Sequence, residues 1–383
     1  KSVIRQLSEF ATARGQEIGY ENVFDYSLGN PSVPVPREFT DRMIHMLATK
    51  EPLELHGYSP SLGITSVREA IAENLEKRFG LPYRKEHIFM ASGAAGALAH
   101  AFRLVTEPGD EILTFAPFFP EYHPYVDLTG AVLKVVPPNL ENFQINFEAF
   151  EEMLTEKVQA VLINTPNNPS GVVYSTPTLQ RLADILSEKS KEYGHIIYLI
   201  SDEPYREIVF EGVDSPCVSY FYDNTIMCYS FSKSLSLPGE RIGYIVAPNE
   251  AEDFEQLLPA FIASARLLSY VCVPTLYQKV VGECVDLTSD LSIYQKNKDL
   301  FYNALVDMGY ECVEPGGAFY LFPKALEEDA NAFCEKAKEY DLLIVPGDSF
   351  GCPGYVRISY CVPTERIEKA LPLFKKLIDD YRK

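Results

Sequence analysis

The chain has 383 residues, 46% of them hydrophobic and 23% charged, with 24 Tyr, 23 Phe and no Trp. That length suits two domains and that apolar content supplies a large core, so disorder along the whole chain is excluded. The 54 acidic residues against 34 basic give a net charge of −20, which repels phosphate backbones and anionic lipid and argues against nucleic-acid and membrane-surface roles.

Residues 1–18 read as an amphipathic helix, without the apolar run and small-residue cleavage site of a signal peptide. Nowhere does an apolar run approach the ~18 residues of a membrane span. Pro- and Gly-rich segments at 29–36 and 52–63 follow, and from about residue 60 helical and strand-like segments alternate. Residues 64–79 have helical periodicity, then come a strand at 87–90, a helix from Ala94 and strands beginning at Glu111 and Ala131. A helix from Phe147, a strand at 160–164 and a helix at 176–193 precede three apolar strands, Ile-Ile-Tyr-Leu-Ile-Ser, Thr-Ile-Met-Cys-Tyr-Ser and Ile-Gly-Tyr-Ile-Val-Ala. Near-continuous apolar strands alternating with helices predict an α/β fold whose mostly parallel sheet is covered by helices on both faces. The region 276–308 is largely helical. Strand-like segments at 310–313, 318–322, 342–345 and 355–361, a helix at 329–340 and a final helix predict a smaller α+β unit.

The eight cysteines (Cys217, Cys228, Cys272, Cys284, Cys312, Cys334, Cys352 and Cys361) form no C-x-x-C pair and keep no zinc-like spacing with the six histidines, which are read as structural or surface groups. Most lie in apolar or aromatic runs, as reduced cysteines acting as small hydrophobes do. No metal site is expected, and a cytoplasmic setting is.

In open α/β sheets ligands bind beyond the carboxyl ends of the strands, so the polar residues that follow each apolar strand are the informative ones. After the first comes Ser92-Gly93-Ala94-Ala95-Gly96, a turn whose small residues and helix N-terminus suit a phosphate; as a bare pattern it is equally a tight strand-to-helix turn. It matches neither the Walker loop nor G-x-G-x-x-G, which argues against a nucleotide-binding dehydrogenase. Thr165-Pro166-Asn167-Asn168-Pro169-Ser170-Gly171 is, alone, a polar turn, and Asp202 in Ser201-Asp202-Glu203-Pro204-Tyr205 could be no more than a helix cap. Lys233 in Ser230-Phe231-Ser232-Lys233-Ser234 is harder to dismiss. A lysine at the end of an apolar strand is costly unless it has a covalent or ionic task. Ser230, Ser232 and Arg241 beside it are phosphate donors.

Together these segments resemble the class I aminotransferases, pyridoxal-phosphate enzymes of fold type I. The matching motifs are N-N-P-S-G at 167–171, S-D-E-P-Y at 201–205 and S-F-S-K-S-L-S-L-P-G-E-R-I-G at 230–243. Y-S-P-S-L-G at 58–63, the Gly-Ala turn and Y-V-R-I-S at 355–359 agree with it, so the resemblance spans nearly the whole chain. It implies that Lys233 holds the cofactor covalently and then carries a proton, that Asp202 pairs with the pyridine N–H, and that Tyr205 and Asn168 bond the 3′ oxygen. Phosphate would fall to Ser230, Ser232, Arg241 and the backbone of Gly93, Ala94 and Ala95. Phe119 matches the aromatic that stacks on the ring, though a plain core Phe would read the same. Tyr58 would reach the phosphate of a partner subunit in a homodimer.

For the substrate, the resemblance makes Arg357 a bidentate clamp on the α-carboxylate, with a structural ion pair as the alternative reading. Gly29 matches a mobile segment that closes over the substrate. One branch of the family reads a distal carboxylate with a lysine in the Gly-rich turn; here that turn holds only Gly and Ala. Arg266, 25 residues past Arg241, lies where some aspartate aminotransferases carry a distal-carboxylate arginine, and equally reads as a solvated or interface residue. The expected division is an N-terminal segment (1–40) joining the small domain, a large cofactor-binding domain (41–285) and a small C-terminal domain (286–383). The expected reaction is ping-pong transamination between an L-amino acid, aspartate among the candidates, and a 2-oxo acid. The alternatives are a C–S β-lyase or other fold type I pyridoxal-phosphate reaction, or a non-catalytic cofactor-binding regulator, disfavoured by the acidic charge and the ~40 residues before the large domain.

Overall fold

The computed structural model describes residues 3–247, 251 and 253–383. The strands in chain order are β1 (Phe24–Asp25), β2 (Ile88–Ala91), β3 (Glu111–Phe115), β4 (Val132–Val136), β5 (Val158–Asn164), β6 (Tyr198–Asp202), β7 (Thr225–Ser230), β8 (Gly243–Val246), β9 (Tyr320–Leu321), β10 (Leu342–Leu343), β11 (Val345–Pro346) and β12 (Val356–Ser359). Seven of them form one sheet in the order β2-β8-β7-β6-β5-β3-β4. All neighbours are parallel except those of β8, which runs against both β2 and β7. β2, β3, β5, β6, β7 and β8 consist almost wholly of buried residues, the pattern of a sheet covered on both faces. The covers are separate apolar clusters. One packs the helix Gly93–Val105 and Phe261 on the side of Phe89, Ile112 and Leu162; another packs Leu179, Leu182 and Leu186 against Leu113, Val161 and Ile163.

The helices obey ordinary end rules. Thr176–Tyr193 starts with the Ser175 side chain accepting from Thr178 N and stops at Gly194 in the left-handed region, φ 73°. The N-terminal helix spans Val3–Ile18; Lys1 and Ser2, read as part of it, lie outside the described residues. Among the described residues no helix is long and apolar enough to cross a membrane, and no cluster of His, Cys, Asp or Glu could hold a metal.

A further cluster draws Phe24 and Tyr26 together with Phe301, Phe319, Ile358 and Phe374, so the two chain ends share one core. Here strand expectations were too generous. Residues 310–313 form no strand: their tie to the neighbouring chain is one backbone bond from Lys324 N to Glu311 O, 2.8 Å. The 318–322 run shortens to β9, because Ala318 takes a positive φ of 57° and turns the backbone out of the extended range. Leu342–Val345 splits, its first half pairing with β1 and its second with β12.

Candidate active site

A cavity of about 390 Å³ opens beyond the carboxyl ends of β5, β6 and β7. Much of its lining comes from residues at or shortly after strand ends. Lys233 lies in the short helix Phe231–Ser234 after β7, Asp202 ends β6, and Asn168 lies in the turn after β5. Ala94 and Ala95 open the helix after β2, while Arg357 projects from β12 across the gap. Because β8 is reversed, Arg241, two residues before its start, arrives at the same edge. Gly29, Phe119, Tyr205, Ser230 and Ser232 complete the expected lining.

Lys233 is almost wholly enclosed. Its Nζ donates to the Gly29 carbonyl at 2.6 Å, and burial, reinforced by Arg241 and Arg357, brings its pKa down to about 8. A side chain that normally stays charged is thus poised to give up its proton near neutrality. Asp202 moves the opposite way. Burial raises it to about 7, with Glu203 adding to the rise and the Tyr122 hydrogen bond opposing it. Tyr122 Oη donates to Asp202 Oδ2 at 2.6 Å, whereas Asp202 Oδ1 is buried with no partner. An orphaned carboxylate oxygen is expensive unless a ligand completes it.

Opposite, Arg357 is 2% exposed. Its Nη1 donates to Asn168 Oδ1 at 3.0 Å and its Nη2 to the Ser27 carbonyl at 2.5 Å, while Nε is buried without an acceptor. Its charge meets no carboxylate in the described structure, since it enters no ion pair. The structural ion-pair reading therefore finds no partner, and the planar fork is set for an incoming anion.

The serine–arginine end has a different chemistry. Ser230 Oγ donates to Ser232 Oγ at 2.6 Å and accepts from Ser232 N at 3.0 Å, which caps the Lys233 helix. Arg241 adopts φ 50°, a conformation a non-glycine residue rarely holds outside functional sites. A Cβ on Gly93 would sit 2.7 Å from Arg241 Nη2, and Gly93 itself has φ 69°. Only glycine lets the turn and the guanidinium come together, leaving amides and arginine on one anion-sized cradle. A carboxylate lacking one partner, a depressed lysine and an anion cradle fit pyridoxal 5′-phosphate at its pyridine nitrogen, aldehyde and phosphate respectively.

Two expected residues lie elsewhere. Tyr58 is 95% exposed and does not line this cavity. Arg266, near the end of the helix Phe254–Leu267, is also exposed and does not line it. Residues not singled out beforehand do: Glu121, Tyr125, Asn164 and Tyr320. Asn164 ends β5 as Asp202 ends β6, and its Nδ2 donates to the Asp202 carbonyl at 2.8 Å, so the strand-end rule could have found it. Tyr122, which orients Asp202, stands three residues past Phe119 in an unremarkable aromatic run. A wider hollow of about 750 Å³ lies at the amino ends of β6 and β7 near Tyr198 and Asn224, away from these groups.

Residues 21–372 match the family model of aminotransferases of class I and II. An aspartate aminotransferase of Thermotoga maritima is 30% identical over 96% of this chain and 97% of that protein. An aromatic-amino-acid aminotransferase of Thermococcus litoralis is 29% identical over 99% and 96%. The solved structure of an aminotransferase from Eubacterium rectale superposes with a TM-score of 0.98 at 48% identity, covering 100% of this chain and 96% of that one. The chain thus belongs to the class I and II aminotransferases, enzymes of the fold type I superfamily that use pyridoxal 5′-phosphate.

Proposed function

We propose that the cavity performs transamination with Lys233 as its catalytic group, and that the enzyme works as a homodimer in the cytoplasm. The cofactor supplies an electron sink for the bond broken at the amino acid's Cα. The chain's residues do the rest. Lys233, lowered toward neutrality, would hold the cofactor through its aldehyde carbon and, with its amine free, would be the base for the proton at the substrate's Cα. Asp202, held by Tyr122, keeps the ring nitrogen protonated. Asn168, whose Oδ1 is committed to Arg357, keeps Nδ2 for the 3′ oxygen, so one amide ties the cofactor site to the carboxylate clamp. Gly29 roofs the lysine. The observation that carries this reading is the pairing of a depressed buried lysine with a buried carboxylate oxygen that lacks a partner, across one cavity.

The exposed Tyr58 ring and exposed Arg266 fit a second subunit better than their own cavity. In that arrangement Tyr58 completes the partner's phosphate site, and Arg266 stands where it could read a distal carboxylate. The segments 1–40 and 286–383 act as one unit against 41–285, joined through the shared Tyr26 and Phe374 core. Mixing the loaded enzyme with amino acids singly, with and without an acceptor oxo acid, tests the reading. Transamination converts the cofactor to its amine form without acceptor and cycles only with one, whereas a β-lyase releases ammonia and pyruvate with none. Lys233→Ala should abolish the exchange and the lysine-linked visible absorbance together.

A further inference from the structure

We propose that Tyr320 is a positioning residue for the cofactor, its hydroxyl bonding Tyr205 so that the Tyr205 proton points at the ring's 3′ oxygen. The proposal rests on Tyr205 facing that oxygen.

The two hydroxyl oxygens are 2.8 Å apart, in side chains that are both buried, with the rings 5.7 Å apart and nearly perpendicular. Either oxygen could donate in such a pair, so what matters is which proton is committed. Arg357 decides it. Its guanidinium carbon stands 4.8 Å from the Tyr320 ring centroid, and a cation over a phenol ring favours release of that phenol's proton. Tyr320 is therefore the better donor and Tyr205 the acceptor. Tyr205, having received a hydrogen bond, donates its own proton more strongly to the next acceptor in the chain. Besides Arg357, Asp202 and Tyr122 face Tyr205, and Cys361 and Tyr360 face Tyr320.

The backbone fixes the geometry. Gly317 N donates to Gly171 O at 3.0 Å and Ala318 N to Ile208 O at 2.9 Å, pinning the turn before Tyr320 to the loops carrying Asn168 and Tyr205. A Cβ at Gly317 would lie 2.5 Å from the Ile208 carbonyl, so glycine is required there. On its far side Tyr320 touches the roof: a Cβ on Gly29 would fall 2.2 Å from its hydroxyl. Tyr320 thus meets the residue that tunes the cofactor, the arginine set for the substrate carboxylate, and the segment over Lys233.

The test is spectroscopic. In the cofactor-loaded enzyme the visible band titrates as the lysine–cofactor linkage loses its proton. Weaker donation to the 3′ oxygen leaves that oxygen more basic and the linkage's proton more tightly held. Tyr320→Phe should raise the midpoint by about 0.3–1 pH unit, the share of one neutral hydrogen bond. Tyr205→Phe should raise it further, and in the Tyr205→Phe background Tyr320→Phe should add nothing. A full cofactor stoichiometry in each variant shows that the site is folded. An unchanged midpoint in Tyr320→Phe beside a shifted one in Tyr205→Phe overturns the relay alone. No shift in Tyr205→Phe overturns the placement of Tyr205 and the proposal with it. Equal shifts that simply add would make Tyr320 an independent effect and also refute it.

Discussion

Replacing Asp202 with Asn removes one titration from the centre of the protein while keeping the side chain's shape. In the absence of cofactor this carboxyl titrates near 7 instead of its ordinary 3.8, because burial penalises the anion. A folded pKa above the unfolded one means that the fold is fully stable below the unfolded value and loses stability as pH rises through the folded value. Between about pH 5 and pH 8 the linkage relation gives a loss of roughly 2–3 kcal/mol through this single group. The Asn variant lacks that loss. Urea unfolding of both cofactor-free proteins at the two pH values should show the variant gaining on the parent by that amount as pH rises. With Asp202 in its proposed role the sign reverses in the loaded enzyme, where the ring nitrogen's proton would complete Asp202 Oδ1, so the variant should bind cofactor less tightly and turn over far more slowly. A stability gap that does not change with pH would refute the account of Asp202 as a strained anion awaiting its partner.

Arg357→Lys should raise KM for all amino donors by about 10–100-fold, since one ammonium cannot keep both the Asn168 and Ser27 bonds and still present a fork; a loss confined to dicarboxylic donors would assign it to the side chain instead. Gly93→Ala puts a Cβ against Arg241 and strains φ 69°, so equilibrium dialysis should find pyridoxal phosphate bound about 5–30-fold more weakly, as expected for 1–2 kcal/mol; unchanged affinity would place the phosphate elsewhere. The cavity's cations are Lys233, Arg241 and Arg357, each with a task already, so a distal carboxylate needs another. Arg266→Ala should therefore lower kcat/KM for aspartate by about 10–1,000-fold and spare alanine. Equal effects on both substrates would make Arg266 structural.

What could be read from the sequence followed from strand ends. Lys233 was identifiable because a lysine just past an apolar strand has few reasons to be there, whereas Asp202 and Asn168, alone a possible cap and a polar turn, stood out only through the family resemblance of their motifs. Tyr122 and Tyr320 were hidden for the opposite reason. Each sits in an aromatic run, Phe118-Phe119-Pro120-Glu121-Tyr122 or Phe319-Tyr320, where a core role is the ordinary expectation and only the fold shows which hydroxyl finds a polar partner. The direction of β8 was equally invisible, since Gly-Tyr-Ile-Val looks the same in a parallel or an antiparallel neighbour. The short strands β1, β9, β10 and β11 fall below the length at which alternation can be recognised.

The reversal of β8 ties the two proposed anchors of the cofactor to one another. Ser230 and Gly243 are directly paired across β7 and β8, so the stretch between them leaves the sheet and returns to the same point. Lys233 near its start and Arg241 near its end are therefore spaced by a closed loop of fixed length, independent of how the surrounding helices settle. With Lys233 and Arg241 in their proposed roles, the chain would measure the distance from aldehyde to phosphate with its own contour. An insertion inside this loop would lengthen the ruler and uncouple the two ends of the cofactor, whereas the same insertion at the exposed Gly194 would leave the ruler untouched.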